Sequence, residues 1–442
     1  MHQRRPLFWS LVPWGAVFIV SSFGGASAAD LGAGSPSMPV KAQVQSSDQR
    51  WQIIFNDETQ FYSWDSSQGY PHLPLQVPAD PKGPGHGTQV YNPFGLQIDG
   101  KATDNLQVQF LIRSGYVWSS QTTGGVSASL SSPTDTTLGT TWTYNGFAGV
   151  QPFASLNVNA PTGTTVLLGN NALARPDPDL SGVPTFGEGW NIGPTVGVNV
   201  PITAQLVASV STGYTSRGSY NREGAIPLVG VQGIDTLKPG NDLTVNSSLA
   251  YQANGLSLQL AASYTWESQT LIDGIAVSRT GDRATVSGTA GYAWTPSWSS
   301  QLMTSFSHND RNVIQSLAPP PLLILEAVNS NSNVTQVTAS TTYKKDKFSI
   351  GPTAGFTFRD HNDFDPTSAT FLPAKTSYAL GGMAQYAVNQ MSSLTLRAEH
   401  RWVHEDVNPD KQIGAFGILA GSGFPAISSN EWMVALGGTI KF

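Results

Sequence analysis

Apolar and polar residues alternate with a period of two over most of the chain from Trp51 onward, the side-chain period of a β-strand. Leu106, Val108, Phe110, Ile112, Tyr116 and Trp118 share one side of an extended backbone, with Gln107, Gln109, Arg113 and Gly115 on the other. Leu256, Leu258, Leu260, Ala262, Tyr264 and Trp266 alternate with Ser257, Gln259, Ser263, Thr265 and Glu267. Ala284, Val286, Ala290, Tyr292 and Trp294 alternate with Arg283, Thr285, Ser287 and Thr289. Tyr-x-Trp at one end of the apolar side, in the first two segments, is the place of an interfacial aromatic girdle. A soluble sandwich alternates too, but has no reason to collect aromatics at strand ends.

The connections sort into two kinds. Tight links lie near Val200-Pro201, Asn254-Gly255, Pro296-Ser297, Lys345-Asp346 and Asn389-Gln390, and Asn-Gly is a strong hairpin signal. Long Gly/Pro/Asn/Asp-rich segments alternate with them: 161–189, 217–241, 268–281, 309–332, 359–375 and 404–429. Short turns at one end and long loops at the other are the asymmetry of a membrane barrel, with the long loops outside the cell. The pattern predicts an all-β chain, a transmembrane antiparallel up-and-down β-barrel of about 16 strands. The strands expected are 51–65, 92–99, 105–119, 136–144, 147–159, 190–200, 204–216, 242–253, 256–267, 282–294, 299–308, 333–343, 348–358, 376–387, 391–403 and 430–442. Segments 92–99 and 136–144 alternate weakly, which leaves about 14 strands as the alternative. Pro152, Pro194 and Pro352 lie inside these segments and require bulges or strand ends, since proline removes a ladder donor. Ile192-Gly-Pro-Thr-Val-Gly197 and Ile350-Gly-Pro-Thr-Ala-Gly355 repeat a phrase on strands of opposite expected direction, which reads as convergence, not duplication.

The last strand places Trp432, Val434, Leu436, Gly438, Ile440 and Phe442 opposite Glu431, Met433, Ala435, Gly437, Thr439 and Lys441. An apolar strand ending on an aromatic residue resembles the closing strand of Gram-negative outer-membrane β-barrels. That resemblance implies a porin-like protein of the cell outer membrane, with Phe442 the signal read by the barrel-assembly machinery. It implies outer-membrane lipid and lipopolysaccharide as further partners. The opening Ala-Ala-Asp with Pro39-Val-Lys-Ala42 resembles the mature start of Gram-negative surface barrels. Phe153-Ala-Ser-Leu-Asn-Val-Asn-Ala-Pro-Thr-Gly163, followed by Gly187-Glu-Gly-Trp-Asn-Ile-Gly-Pro194, resembles barrel transporters associated with aromatic-compound degradation.

Composition adds the address. His2, Arg4 and Arg5 precede a mostly apolar Leu7–Val20 and a small-residue stretch ending Ala26-Ser-Ala28-Ala29. This is the layout of a secretory signal peptide spanning 1–29, cleaved after Ala28 or Ala29, and an uncleaved anchor is the alternative. Residues 30–50 read as a periplasmic leader, and 51–442 as the barrel. Losing Arg4 and Arg5 leaves 21 basic against 29 acidic side chains, so no basic stripe invites nucleic acid. With no cysteine, neither disulfides nor thiolate metal sites are available.

A barrel of about sixteen strands encloses an aqueous lumen, whose inward residues set selectivity. Parity places Arg397, Glu399 and Arg401 inward, with Arg113, Arg283 and Glu267. Such charges either impose a transverse field that favours polar or anionic solutes, or pair and solvate the wall. The loop 161–189 is a candidate constriction. Val313–Glu326 is apolar for an external loop, and fits folding into the mouth, packing on a neighbour, binding an apolar ligand or packing on other loops. At the rim, His308, Asp310, Asp360, His361, Asp363, Asp365, His404, Glu405 and Asp406 form a possible cation site or simply solvated loop ends. No metal, cofactor or catalytic residue is assigned. A rim hydrolase lacks a fixed nucleophile–base pair, so no enzyme is expected. The reading is a channel for passive diffusion or uptake of a small solute through a polar lumen. The alternative is a structural or surface-interaction barrel with a closed lumen.

Overall fold

The computed structural model describes residues 51–67, 84–147, 149–168, 171, 174, 183, 186–223, 233–316, 322–366, 371–407 and 426–442. The signal peptide and leader expected over 1–50 lie outside them. In chain order the strands are β1 (Trp51–Ser66), β2 (Gly85–Thr103), β3 (Leu106–Thr123), β4 (Val126–Pro133), β5 (Thr136–Tyr144), β6 (Gln151–Ala160), β7 (Asn191–Pro201) and β8 (Leu206–Arg217). There follow β9 (Tyr220–Glu223), β10 (Ile234–Lys238), β11 (Asp242–Ala253), β12 (Leu256–Glu267), β13 (Thr270–Ile272), β14 (Ile275–Arg279), β15 (Arg283–Thr295) and β16 (Trp298–Asn309). The last are β17 (Val313–Gln315), β18 (Leu323–Leu325), β19 (Val334–Lys345), β20 (Phe348–Arg359), β21 (Lys375–Ala387), β22 (Ser392–Glu405) and β23 (Ile427–Lys441).

The wall is a closed antiparallel barrel of 16 strands. β4 pairs with the far half of β3 and β5 with its near half, so those two form one interrupted strand of the wall. β23 pairs with β1 from Ile54↔Lys441 to Ser66↔Ser429, which leaves no edge in the wall. Ile53 and Phe442 exchange backbone hydrogen bonds of 3.1 and 2.8 Å at the seam. The apolar alternate positions face out: Leu260, Val286, Leu302, Leu380, Leu396 and Leu436 are all exposed, as a lipid-facing belt requires. Strands of 12 residues such as β11 and β12, tilted as barrel strands are, rise roughly 30 Å and match a bilayer core.

Two girdles bound that belt. Tyr264–Trp266 and Tyr116–Trp118, each with ring centroids 4.5 Å apart, lie at the loop end. Tyr292–Trp294, at 4.6 Å, and Trp298–Tyr343, at 5.0 Å, lie at the turn end. The Asn254-Gly255 turn has φ of +49° and +80°, the positive pair of a tight hairpin whose twist matches its strands.

The prolines occupy gaps in the ladder. β7 and β8 are in register at Ile192↔Ser216 and again from Thr195↔Gly213, skipping Gly193 and Pro194. β19 and β20 skip Gly351 and Pro352 in the same way. The repeated Ile-Gly-Pro-Thr phrase is thus one local solution used on strands running in opposite directions. Pro152 sits near the start of β6.

Two features depart from the expectation. β2 and β3 run well past 92–99 and 105–119, joined to β4 by a Gly124-Gly125 hairpin, because Ser/Thr/Gln alternation continues above the girdle. Three segments expected as loops build a separate six-stranded antiparallel sheet, in the order β18-β17-β14-β13-β10-β9. These pieces are three to five residues long, too short to register as strands in a loop-like composition.

Candidate functional site: the charged lumen wall

The lumen face near the seam is built from β22, β23 and β1. Arg397, Ala435 and Gln60 share one register line, and Thr395, Gly437 and Glu58 the next. Ala435 and Gly437 carry so little side chain that Arg397 on β22 reaches across β23 to pair with Glu58 on β1. A Cβ on Gly437 would lie 3.3 Å from Glu58 Oε2, so the glutamate side chain lies directly over that glycine. One turn of the alternation further up, the Arg401 guanidinium donates to Glu399 Oε1 at 2.9 Å and stands 3.8 Å from Glu431 Oε1. Glu431 is 1% exposed. Beside these groups Tyr62 donates its hydroxyl to Gln60 Oε1 at 2.7 Å, and Tyr62, Trp64 and Val403 form a small buried cluster on the inner wall. Trp64 lies over Gly87 of β2, where an added Cβ would come within 2.2 Å of the indole.

The loop end of the opposite wall carries a second charged group. Arg217 of β8 pairs with Asp242 of β11, and Thr280 donates to Glu267 Oε1 at 3.2 Å. Arg283 of β15 sits in register with Thr265 of β12 and faces the same space. At the end of β21 and β22, Lys375 pairs with Glu405 at 3.3 Å and Arg359 approaches it at 3.9 Å.

All six lumen residues expected from parity therefore point inward. The expected ladder does not stand alone, since Glu58, Glu431, Arg217 and Asp242 complete it. Glu431 was visible on the polar side of the last strand. Glu58 was not, because Asn56, Asp57, Glu58, Thr59 and Gln60 make β1 polar on both sides and hide its parity. Arg113, on β3 between Gly95 and Thr137, is exposed to the lumen and has no ion pair among the described residues.

The loop after β6 enters the mouth. Leu167, Val183 and Phe186 pack with Val117 on the inner side of β3. Gln89 Nε2 donates to the Val183 carbonyl at 3.1 Å, Ser119 Oγ to the Ala174 carbonyl at 2.7 Å, and the Leu167 amide to Glu223 Oε2 at 3.0 Å. Gln89, Val117 and Ser119 are inward positions of the wall, so Leu167, Ala174, Val183 and Phe186 of the loop lie against its inner face. Its candidate role as a constriction keeps this geometric basis.

The rim residues do not converge. His308 pairs with Asp310 at 3.4 Å and touches Asn333 Oδ1 at 2.6 Å, while Asn333 donates to Asp360 Oδ2 at 2.7 Å. His404 stands 3.7 Å from Asp406, and His361 is turned to the Asn362 carbonyl. Asp363 donates its amide to the Asn329 carbonyl. Glu405 turns inward to Lys375, away from the histidines. Among the described residues, no three of these side chains come together to hold a metal ion.

A closed sixteen-strand wall, apolar outside and polar inside, with two girdles and sorted turns and loops, is the architecture of Gram-negative outer-membrane barrels. No family model and no curated protein matches the chain. Among solved structures it is similar to an outer membrane channel of Pseudomonas putida F1 (COG4313), at 16% identity, 67% of this chain, 97% of that one and a TM-score of 0.37. It is similar to OccAB1 of Acinetobacter baumannii at 11% identity, 89% and 97% coverage and a TM-score of 0.45. A FadL homologue of Pseudomonas aeruginosa matches at 11% identity, 88% and 90% coverage and a TM-score of 0.42.

Proposed function

We propose that this protein is a channel for small polar solutes across the outer membrane, which cross by diffusion through its lumen. The observation that supports this is the inner wall itself. Inward positions on the wall strands β11, β12, β15 and β16 include Thr244, Asn246, Ser248, Gln259, Ser263, Thr265, Thr285, Ser287, Thr289, Ser305 and Ser307, a hydroxyl- and amide-rich surface that hydrates solutes without binding them tightly. The loop after β6 narrows the mouth, and Arg113 supplies the lumen with a cation that no carboxylate neutralises among the described residues. Arg397 and Arg401 are neutralised by Glu58, Glu399 and Glu431, so they hold the wall more than they select ions.

Single-channel recording of the mature protein in a planar bilayer tests this. Steady open steps are expected, with Arg113→Glu moving the reversal potential toward cation preference. A folded protein that passes no current refutes the channel. A second reading, a barrel that serves surface interaction, is favoured by one observation. The external sheet leaves Ile234, Ile275, Ile314, Ile324 and Leu325 exposed, with Leu322 just before β18.

A further inference from the structure

A carboxylate faces outward in the middle of the lipid belt. Asp57 on β1 is in register with Gly438 of β23 and Phe94 of β2. Phe94 is exposed, as are Leu436 and Ile440 on either side of Gly438, so Asp57 lies on the lipid face. It is itself exposed, midway along β1 between Trp51 at the turn-end girdle and Ser63 beside Trp432 at the other. Asp65, further along β1, is level with Asn430, which is opposite Trp402 in the upper girdle. Among the described residues, Asp57 is the one charged side chain at an outward position between the girdles. A carboxylate there is costly against hydrocarbon, and polar groups at that depth mark contact or function.

Its surroundings show what would satisfy it. β1 and β2 are out of register contact at Glu58 and Thr59, opposite Asn92 and Pro93. Proline has no N–H to give, and the Asn92 side chain donates instead to the Glu58 carbonyl at 2.9 Å. The same amide reaches Thr59 Oγ1 at 2.9 Å and Asp57 Oδ1 only at 3.4 Å. Thr59, which accepts from Asn92, keeps its own hydroxyl proton to donate. The patch thus holds an under-satisfied acceptor and an unused donor side by side, rimmed by exposed Phe55, Phe61, Phe94, Leu436 and Ile440, with a notch at Gly438.

We propose that this face of β23, β1 and β2 is the contact between two copies of the chain in the membrane. A two-fold contact requires a self-complementary patch, and here the Thr59 hydroxyl of each copy meets the Asp57 carboxylate of the other. The aromatic rim packs around the pair and excludes lipid.

The chain has no cysteine, so one introduced thiol is a clean reporter. Leu436→Cys places it beside the patch, and Leu260→Cys places it on β12 on the other side of the barrel; both side chains are exposed. A short thiol–thiol cross-linker in native outer membranes is expected to give dimers with Leu436→Cys and monomers with Leu260→Cys. Adding Asp57→Leu to Leu436→Cys is expected to lower the cross-linked fraction about tenfold, as loss of a central polar contact does. Heat-dependent gel mobility confirms that the variant is folded. Monomers from both reporters, equal yields from both, or a yield unchanged by Asp57→Leu overturns the proposal.

Discussion

Arg401→Met is the most telling perturbation of the lumen wall. Glu431 is 1% exposed, and Arg401, whose side chain is 24% exposed, stands 3.8 Å from it and 2.9 Å from Glu399. Methionine keeps most of the aliphatic volume but removes the charge, leaving two carboxylates on neighbouring strands without their shared cation. Removing one partner of a buried pair costs about 3–5 kcal/mol, and partial exposure of the arginine places this case near the lower end, about 3 kcal/mol. By contrast, Arg397 and Glu58 are 18% and 19% exposed, and Arg397→Ala should cost only about 1 kcal/mol. The assay is urea unfolding of protein folded into lipid vesicles, with the folded fraction read from heat-dependent gel mobility. Glu431→Gln added to Arg401→Met removes the excess negative charge and should recover most of the loss. A loss below about 1 kcal/mol for Arg401→Met, or a double variant no more stable than the single, refutes the assignment of Glu431 as a buried charge dependent on Arg401.

Three further outcomes follow from the same geometry. Gly437→Val pushes the Glu58 side chain off the wall, so it should destabilise the barrel by about 1–2 kcal/mol, and its effect should shrink in an Arg397→Ala background when both are measured by the urea assay. Gly255→Ala forces a side chain into a φ of +80° with the Ala293 carbonyl 3.1 Å from the new carbon, and should cost about 1 kcal/mol or more in the same titration. Glu223→Gln weakens the acceptor for the Leu167 amide, and single-channel records should show added flicker as the loop after β6 loosens, with the mean open conductance unchanged or higher.

Most of the wall was legible because a strand between lipid and water follows a period of two, and because turns and loops sort by end. Strand bounds such as 242–253, 256–267 and 348–358 coincide with β11, β12 and β20 to within a residue. Arg113, Glu267, Arg283, Arg397, Glu399 and Arg401 alternate along their strands with the exposed apolar positions for the same reason. What the sequence hid are contacts that cross strands distant along the chain. Glu58 meets Arg397 only because closure brings β1 beside β23, and because two small residues on β23 let the arginine pass. The rim histidines and aspartates are crowded in sequence, yet backbone carbonyls and Asn333 claim several of them. The external sheet was hidden because its strands are too short to show alternation.

The seam is also where the barrel departs from its own rules. Elsewhere the described lipid face between the girdles carries no carboxylate, whereas β1 presents one outside at Asp57 and another inside at Glu58. A single strand with charge on both faces is a poor membrane strand by itself, and it is held by its neighbours: Asn92 replaces the donor that Pro93 lacks, and Arg397 anchors Glu58 across β23. These compensations act chiefly on the inner side and on the backbone, and Asp57 receives only the long 3.4 Å bond from Asn92. The carboxylate is turned outward with only a 3.4 Å bond from Asn92 inside the wall, and the proposed two-copy contact answers to that asymmetry.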